Sequence, residues 1–323
     1  MNIRKAVITA AGRGARLYPA ATPVQKSMLP IVDRDGFVKP AIQLIAEEAL
    51  FSGAEDLCIV CAPGDEEQYI AQLRLLRENL LIAYEGADWA KLQAERIDDL
   101  LGRLSFRAQA EPLGYGHAVA CARGFTGGEP FLLLLGDHLY LSKDPGRRCA
   151  QQITDLATRE NCAVAGVQVT RESLIRNYGT LAGRRLEQMQ GVYQIERILE
   201  KPAISKAELE LITPGLRTGH YLCFFGIHVL TPAIFDILEA NMAAASGRED
   251  YALTPALNEL ARSERYLAHE VKGVRYDLGQ KFGLLRAQLA LGIAGERQDE
   301  VLASVLEVMI EARECASGSP EKA

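Results

Sequence analysis

Short apolar runs of strand character alternate with longer amphipathic segments along most of this chain, the pattern left by βαβ units that build a parallel sheet. "KAVITA" (5–10) reads as a first strand and "KPAIQLIAEEALFSG" (39–53) as a helix closed by Gly53. "EDLCIVCA" (55–62) follows as a second strand, helical patterning runs from about Glu66 to Leu104, and "LSFRAQ" (104–109) is extended again. "GHAVACARGF" (116–125) reads as helix, and "FLLLLGD" (131–137) as a short continuous apolar strand ending in an acid. From about Tyr178 to Leu230 the strands lengthen, with "YGTLAG", "VYQIERILEKP" and "GHYLCFFGIHVL" and little helix between them. "ALTPALNELAR", "KFGLLRAQLALGIA" and "QDEVLASVLEVMIEAR" then close the chain as helices. The expected fold is α/β, a Rossmann-like mixed, mostly parallel sheet flanked by helices, with a second half rich in β-structure. No internal repeat or Pro-rich linker divides it. A single domain is expected over 1–313, with halves at about 1–170 and 171–295, a C-terminal helix at about 296–313 and a flexible tail at 314–323.

Charge and cysteine usage narrow the function. Lys and Arg number 36 against 42 Asp and Glu, a net charge of −6, whereas duplex binding calls for a basic excess. Nucleic acid is therefore not an expected partner. No run of about 18 apolar residues occurs, and the N-terminus does not read as a signal peptide, so neither membrane insertion nor secretion is expected. Cys58 and Cys61 are spaced C-x-x-C but lie inside a strand-like apolar run. Buried strand residues are the better reading, because redox pairs usually open a helix and no second pair completes a zinc set. The five His residues do not cluster, which argues against zinc as well. A reduced, cytoplasmic protein is expected.

The stretch "AAGRGARLYPAATPVQKSMLP" (10–30) follows the first strand. Glycines after a buried strand let backbone N–H groups approach phosphate oxygens. A Walker A loop needs Gly directly before Lys-Ser/Thr, and here Gln25 precedes Lys26 and Ser27. The dinucleotide fingerprint needs a third Gly where Leu17 stands, so both motifs fail. The cations Arg16 and Lys26 lie on an irregular stretch fixed by Pro19, Pro23 and Pro30. Prolines lower the entropy cost of holding two charges at one site, and two cations suit a triphosphate. A bland surface loop stays open as the alternative.

With "GRGARLYP…KSMLP", "QAEPLGYGHAV" (109–119), "GD" at 136–137, "YG" at 178–179, "EKP" at 200–202 and "YDLGQKFGLLRA" at 276–287, the chain resembles the sugar-1-phosphate nucleotidylyltransferases. It is most like the bacterial branch that joins UTP to glucose 1-phosphate. The resemblance implies the nucleotide-diphospho-sugar transferase fold, with a nucleotide-binding first half and a sugar-phosphate-binding second half. It also implies a reaction in which a sugar phosphate oxygen attacks the α-phosphorus in line, pyrophosphate leaves, and no protein nucleophile is needed. Such catalysis is mostly positioning and charge neutralisation.

By the same resemblance, Arg16 and Lys26 meet the triphosphate and departing pyrophosphate, beside backbone groups of Ala10, Ala11, Gly12 and Gly14. Asp137 matches the magnesium-binding aspartate, and Asp277 a position that supplies another metal contact; Mg²⁺ favours a few carboxylates plus phosphate oxygens. Gln109 matches the base reader: its carboxamide can accept from uracil N3–H while donating to O4, a pattern cytosine inverts, and Gly114 lets backbone touch the base. Glu200 and Lys201 match the residues that meet the sugar hydroxyls and the sugar phosphate, with Gly179 and Gly219 lining the sugar by backbone. His117 serves either as a local cap or as a ligand contact.

Gln25, Ser27, His220, Pro255 in "DYALTPAL" and an apparent insertion at 34–38 depart from the family pattern. They leave room for dTTP, another sugar 1-phosphate or a sugar-like alcohol phosphate, and a catalytically silent regulatory homologue is the remaining reading. A homo-oligomer is expected, with the segment around "VLASVLEVMIEA" as core or interface.

Overall fold

The structure is a computed structural model and describes residues 1–12, 25–244 and 251–317. β1 (Lys5–Thr9) buries Ala6, Val7 and Ile8, an unbroken apolar run suited to the centre of a sheet covered on both faces. β2 (Pro30–Val32) and β3 (Val38–Pro40) form a separate antiparallel hairpin around the 34–38 segment. β4 (Asp56–Cys61), β5 (Leu104–Ala108) and β6 (Phe131–Leu135) complete a parallel block in the spatial order β5-β4-β1-β6. β7 (His138–Ser142) leaves the sheet directly after Asp137.

The second half adds β8 (Ala163–Arg171), β9 (Gly179–Arg185), β10 (Val192–Glu200), β11 (His220–Leu230) and β12 (Tyr266–Glu270). Together they extend the sheet to nine strands, β5-β4-β1-β6-β11-β8-β12-β10-β9. Only β10 and β11 run against the other seven, so the sheet is mixed but predominantly of one direction. β13 (Gly273–Asp277) pairs antiparallel with β7, setting Asp277 opposite His138.

Each face of the sheet carries its own core. Ala6 and Ile8 pack with Ile42 and Ile45 of the helix Ala41–Leu50 on one side. Val7 packs on the other with Val119, Phe235 and Leu257. The C-x-x-C pair obeys the period-two geometry of a strand: Cys61 belongs to the first core and Cys58 to the second. Burial pushes the two thiols up to about 11 for Cys58 and about 12 for Cys61, which suits packing and not redox chemistry.

The helical patterning over 66–104 resolves into two helices, Asp65–Ala83 and Asp88–Arg103, separated at Gly86, whose φ is 83°. The 34–38 insertion is pinned by the buried Lys39, whose ammonium reaches Asp33 at 2.6 Å, Asp35 at 2.7 Å and Glu47 at 3.5 Å. Phe37 stacks on Trp89 with centroids 4.7 Å apart, and the Arg34 carbonyl accepts from Glu296 N–H. The hairpin thus docks on the helix Asp88–Arg103 and on the 295–297 turn.

Candidate active site

The ends of β1 and β6 meet where a ligand would approach an open α/β sheet. A side chain at Gly136 would put its Cβ 2.8 Å from both the Ala10 Cβ and the Thr9 carbonyl oxygen, so only glycine lets the two strand ends close on each other. Gly136 N–H donates to Thr9 at 2.9 Å, and Ala10 N–H to Val60 at 2.7 Å. Ala10, Ala11 and Gly12 therefore leave the sheet beside Asp137. Gly14 and Arg16 lie outside the described residues.

Lys26 enters the same place from a single 3-10 turn, Lys26–Met28. Ser27, buried one residue on, shares a 2.5 Å hydrogen bond with the Tyr69 hydroxyl and ties the turn to the helix Asp65–Ala83. Lys26 Nζ is 3.4 Å from Asp137 Oδ2, and His138 Nδ1 donates to Asp137 Oδ1 at 2.8 Å. Burial alone would raise the Asp137 carboxyl. The hydrogen bond and charge of His138, followed by the Lys26 ammonium, overcome that and hold it well below the usual carboxylate range.

The β7–β13 pairing brings in the third member. Ligating atoms of Asp137, His138 and Asp277 all lie within 4.8 Å of one another. Asp277 Oδ1 accepts from Gly279 N–H at 2.8 Å, and Leu278 N–H donates to the Asp137 carbonyl at 2.9 Å. Two carboxylates with an imidazole holding one of them fit a hard divalent cation that completes its shell with phosphate oxygens and water. His138 was not foreseen. Its adjacency to Asp137 was visible in "GDH", but its place opposite Asp277 depends on a strand register.

Gln109 is buried at the end of β5, where its N–H donates to Cys61 at 2.8 Å. Its side-chain amide donates to the Gly114 carbonyl at 3.0 Å and meets His117 Nδ1 at 3.0 Å. Both amide protons are thus engaged, leaving Oε1 to accept from a base; a simultaneous donation to O4 from this side chain is not the arrangement seen. Gly114 has φ 103°, which L side chains rarely adopt, and it opens the helix Tyr115–Ala120.

On the far side, Glu200 ends β10 opposite Gly179. A Cβ at Gly179 would lie 2.7 Å from the Phe224 ring and 3.3 Å from Glu200 Oε2. Thr254 donates to Glu200 Oε2 at 2.5 Å from the first turn of the helix Leu253–Ser263. Pro255 sits in that same turn, where a missing N–H is not needed. Lys201 follows with Nζ 3.3 Å from Glu200 Oε1 and a φ of 42°, a left-handed backbone for a non-glycine residue. Arg275 stacks over Tyr178 at 4.1 Å and donates to the Phe224 carbonyl.

Gly219 does not join this group. It lies just before β11 against Glu172, five residues ahead of Phe224, and five strand residues span roughly 16 Å. A motif-level match had placed it on the sugar; the length of the extended strand carries it away. His220, its neighbour, pairs with Arg171 on β8.

With this geometry in place, comparison with known proteins is direct. The chain matches the model of the nucleotidyl transferase family over residues 5–292. It is 36% identical over 292 residues to a UTP–glucose-1-phosphate uridylyltransferase of Streptococcus pneumoniae, covering 89% of this chain and 90% of the relative. It is 35% identical over 312 residues to the UTP–glucose-1-phosphate uridylyltransferase YngB of Bacillus subtilis, covering 96% of each. Among solved structures, a UDP-glucose pyrophosphorylase complexed with UDP-glucose superimposes with a TM-score of 0.69 at 30% identity, over 89% of this chain and 98% of that one. An apo UDP-glucose pyrophosphorylase gives a TM-score of 0.74 at 29% identity, over 89% of this chain and 97% of the other. The chain belongs to the nucleotidyl transferase family.

Proposed function

We propose that this protein transfers the uridylyl group of UTP to glucose 1-phosphate, giving UDP-glucose and pyrophosphate. The observation that carries the reading is the convergence of Lys26, Asp137, His138 and Asp277 at the ends of β1, β6 and β13, between Gln109 on one side and Glu200 with Gly179 on the other. Relatives named for this reaction span nearly the whole chain.

In this reading Lys26 and the backbone of Ala10, Ala11 and Gly12 hold the triphosphate, together with Gly14 and Arg16 of the loop beyond the described residues. Gln109 accepts from the base N3–H through Oε1. Glu200, fixed by Thr254, accepts from sugar hydroxyls, Gly179 lets the sugar lie against backbone, and Lys201 draws in the sugar phosphate. Asp137 and Asp277 would hold a divalent cation, Mg²⁺ by its preference for oxygen donors, with His138 orienting Asp137. When bound, that cation neutralises charge on the phosphate oxygens of an in-line displacement. Lys26 and Lys201 bring the two anions together; no protein nucleophile is required.

One catalytic unit over 1–313 is part of the proposal, as are a cytoplasmic location, to which the six free described cysteines are suited, and self-association. No described helix is long and apolar enough to cross a membrane. Leu306, Met309 and Ile310 are each more than half exposed along the helix Gln298–Ser317 and offer a face to a second copy. Leu306→Asp should therefore lower the mass measured by light scattering; an unchanged mass would remove this face from the account.

The functional reading is tested by crossing UTP, dTTP, CTP and ATP with glucose, galactose and other sugar 1-phosphates and measuring pyrophosphate release. UTP with glucose 1-phosphate should give the highest kcat/KM. Turnover confined to another pair would replace the substrates named here.

A further inference from the structure

One side chain near this cleft carries a buried hydroxyl with no hydrogen-bond partner among the described residues. It is Tyr115, which opens the helix Tyr115–Ala120. The neighbouring Thr9 hydroxyl gives its own proton to the Leu134 carbonyl at 3.4 Å and, though outside hydrogen-bond geometry with the phenol, lies close enough to oppose the rise in its pKa. Buried polar atoms are nearly always satisfied, so an unsatisfied one calls for a reason. A phenylalanine ring would fill the same space without desolvating a hydroxyl.

The surroundings say what kind of group would satisfy it. Burial raises the phenol most, the Thr9 hydroxyl opposes the rise, and the charges of Asp137 and Glu200 push it up further. Tyr115 stays protonated and acts as a donor. Its helix is held in place from behind: Gly116 N–H donates to the Tyr251 carbonyl at 2.7 Å, and Tyr251 N–H to the Leu113 carbonyl at 2.8 Å. The same segment continues to Thr254 and so to Glu200. A hydroxyl placed between Tyr115 and Glu200 would accept from the phenol and donate to the carboxylate, which matches both its functions. The base edge, by contrast, is addressed by Gln109.

We propose that the Tyr115 hydroxyl donates a hydrogen bond to the sugar portion of the bound sugar 1-phosphate, and of the nucleotide sugar formed from it, making Tyr115 a specificity-determining residue. This rests on the functional reading above. It goes further in giving the sugar pocket a donor between the carboxylate proposed for the metal and the carboxylate proposed for the sugar.

The test is calorimetric titration of wild type and Tyr115→Phe with UDP and with UDP-glucose, alongside thermal unfolding of both ligand-free proteins. Wild type should bind UDP-glucose more tightly than UDP. Tyr115→Phe should weaken UDP-glucose about tenfold, the scale of one buried hydrogen bond, and leave UDP unchanged. The ligand-free variant should unfold at the same or a higher temperature, because it no longer buries an unpaired hydroxyl. In kinetics the KM for glucose 1-phosphate should rise by a similar factor. Unchanged UDP-glucose affinity, equal losses for UDP and UDP-glucose, or a lowered unfolding temperature with affinity retained would each overturn the proposal while leaving the functional reading intact. A wild type that binds neither ligand would overturn that reading and the proposal together.

Discussion

Asp137 meets Lys26 through one carboxylate oxygen and His138 through the other, so its ionised form is set by neighbours that approach from two separate elements. Gln109 is positioned the same way, through its own backbone bond to β4 and its amide bonds to Gly114 and His117. With only Oε1 free for a base, Gln109→Ala would, in the proposed reading, remove one acceptor from a uracil N3–H. The UTP-over-CTP ratio of kcat/KM should fall about five- to tenfold, the size of a single net hydrogen bond near 1 kcal/mol, while the preference among sugar 1-phosphates holds. An unchanged ratio would take base reading away from Gln109. Most of these residues could be picked out of the sequence because they stand in short motifs: the acid closing "FLLLLGD", the Gln ahead of "GYGHAV" and the Glu of "EKP". His138 and Tyr115 could not. Each gains its significance from a partner more than eighty residues distant, Asp277 for the first and Glu200 for the second.

At the scale of single elements, the β2–β3 hairpin shows how an insertion is held by one buried cation. Lys39 is nearly inaccessible and serves three carboxylates at once. Lys39→Met would leave Asp33, Asp35 and Glu47 facing one another with only the more distant Arg34 and Arg96 as counter-charges, at a cost of about 3 kcal/mol in unfolding free energy. The pH dependence has a definite sign. Burial opposes ionisation of Asp33, but Lys39 wins and lowers its pKa below the ordinary 3.8. That contribution is complete above pH 3.8 and fades as pH falls through the lower folded value. For Lys39 burial also opposes the charge, yet Glu47 and Asp33 raise its pKa above 10.5, so its share is lost only as pH rises beyond that. The stability gap between wild type and Lys39→Met, measured by urea unfolding, should be widest near neutrality and narrow on acidification below about pH 4. A constant gap from pH 7 to 3 would contradict the pairing. The insertion itself was legible from sequence, but the partners it packs against were not. Trp89 and the 295–297 turn, which it packs against, are remote in the chain. The break at Gly86 and the displacement of Gly219 were missed for a related reason: helical periodicity does not show where a helix ends, and a motif does not report how far an extended strand travels.

Across the whole molecule, the nine-stranded sheet joins the two halves of the chain. The parallel block brings Ala10, Gln109 and Asp137 to one end. The antiparallel pairing of β10 with β9 delivers Glu200 and Gly179 to the same cleft from the second half. β11 links the two by pairing with both β6 and β9. The βαβ alternation made the first block readable, since buried parallel strands appear as unbroken apolar runs. The order of the second block was not readable, because antiparallel strands separated by long connections can pair in several ways without changing their sequence pattern. The central claim is uridylyl transfer at a cleft built around Asp137. It is tested most directly by measuring pyrophosphate release from UTP and glucose 1-phosphate with Mg²⁺, using wild type and Asp137→Asn at equal concentrations of folded protein. The account predicts UDP-glucose as the product of wild type and a rate reduced at least about a hundredfold in the variant, the scale of a lost charge-neutralising group. Asp137→Asn turning over within a few-fold of wild type at limiting Mg²⁺, or wild type forming no UDP-glucose, would contradict it.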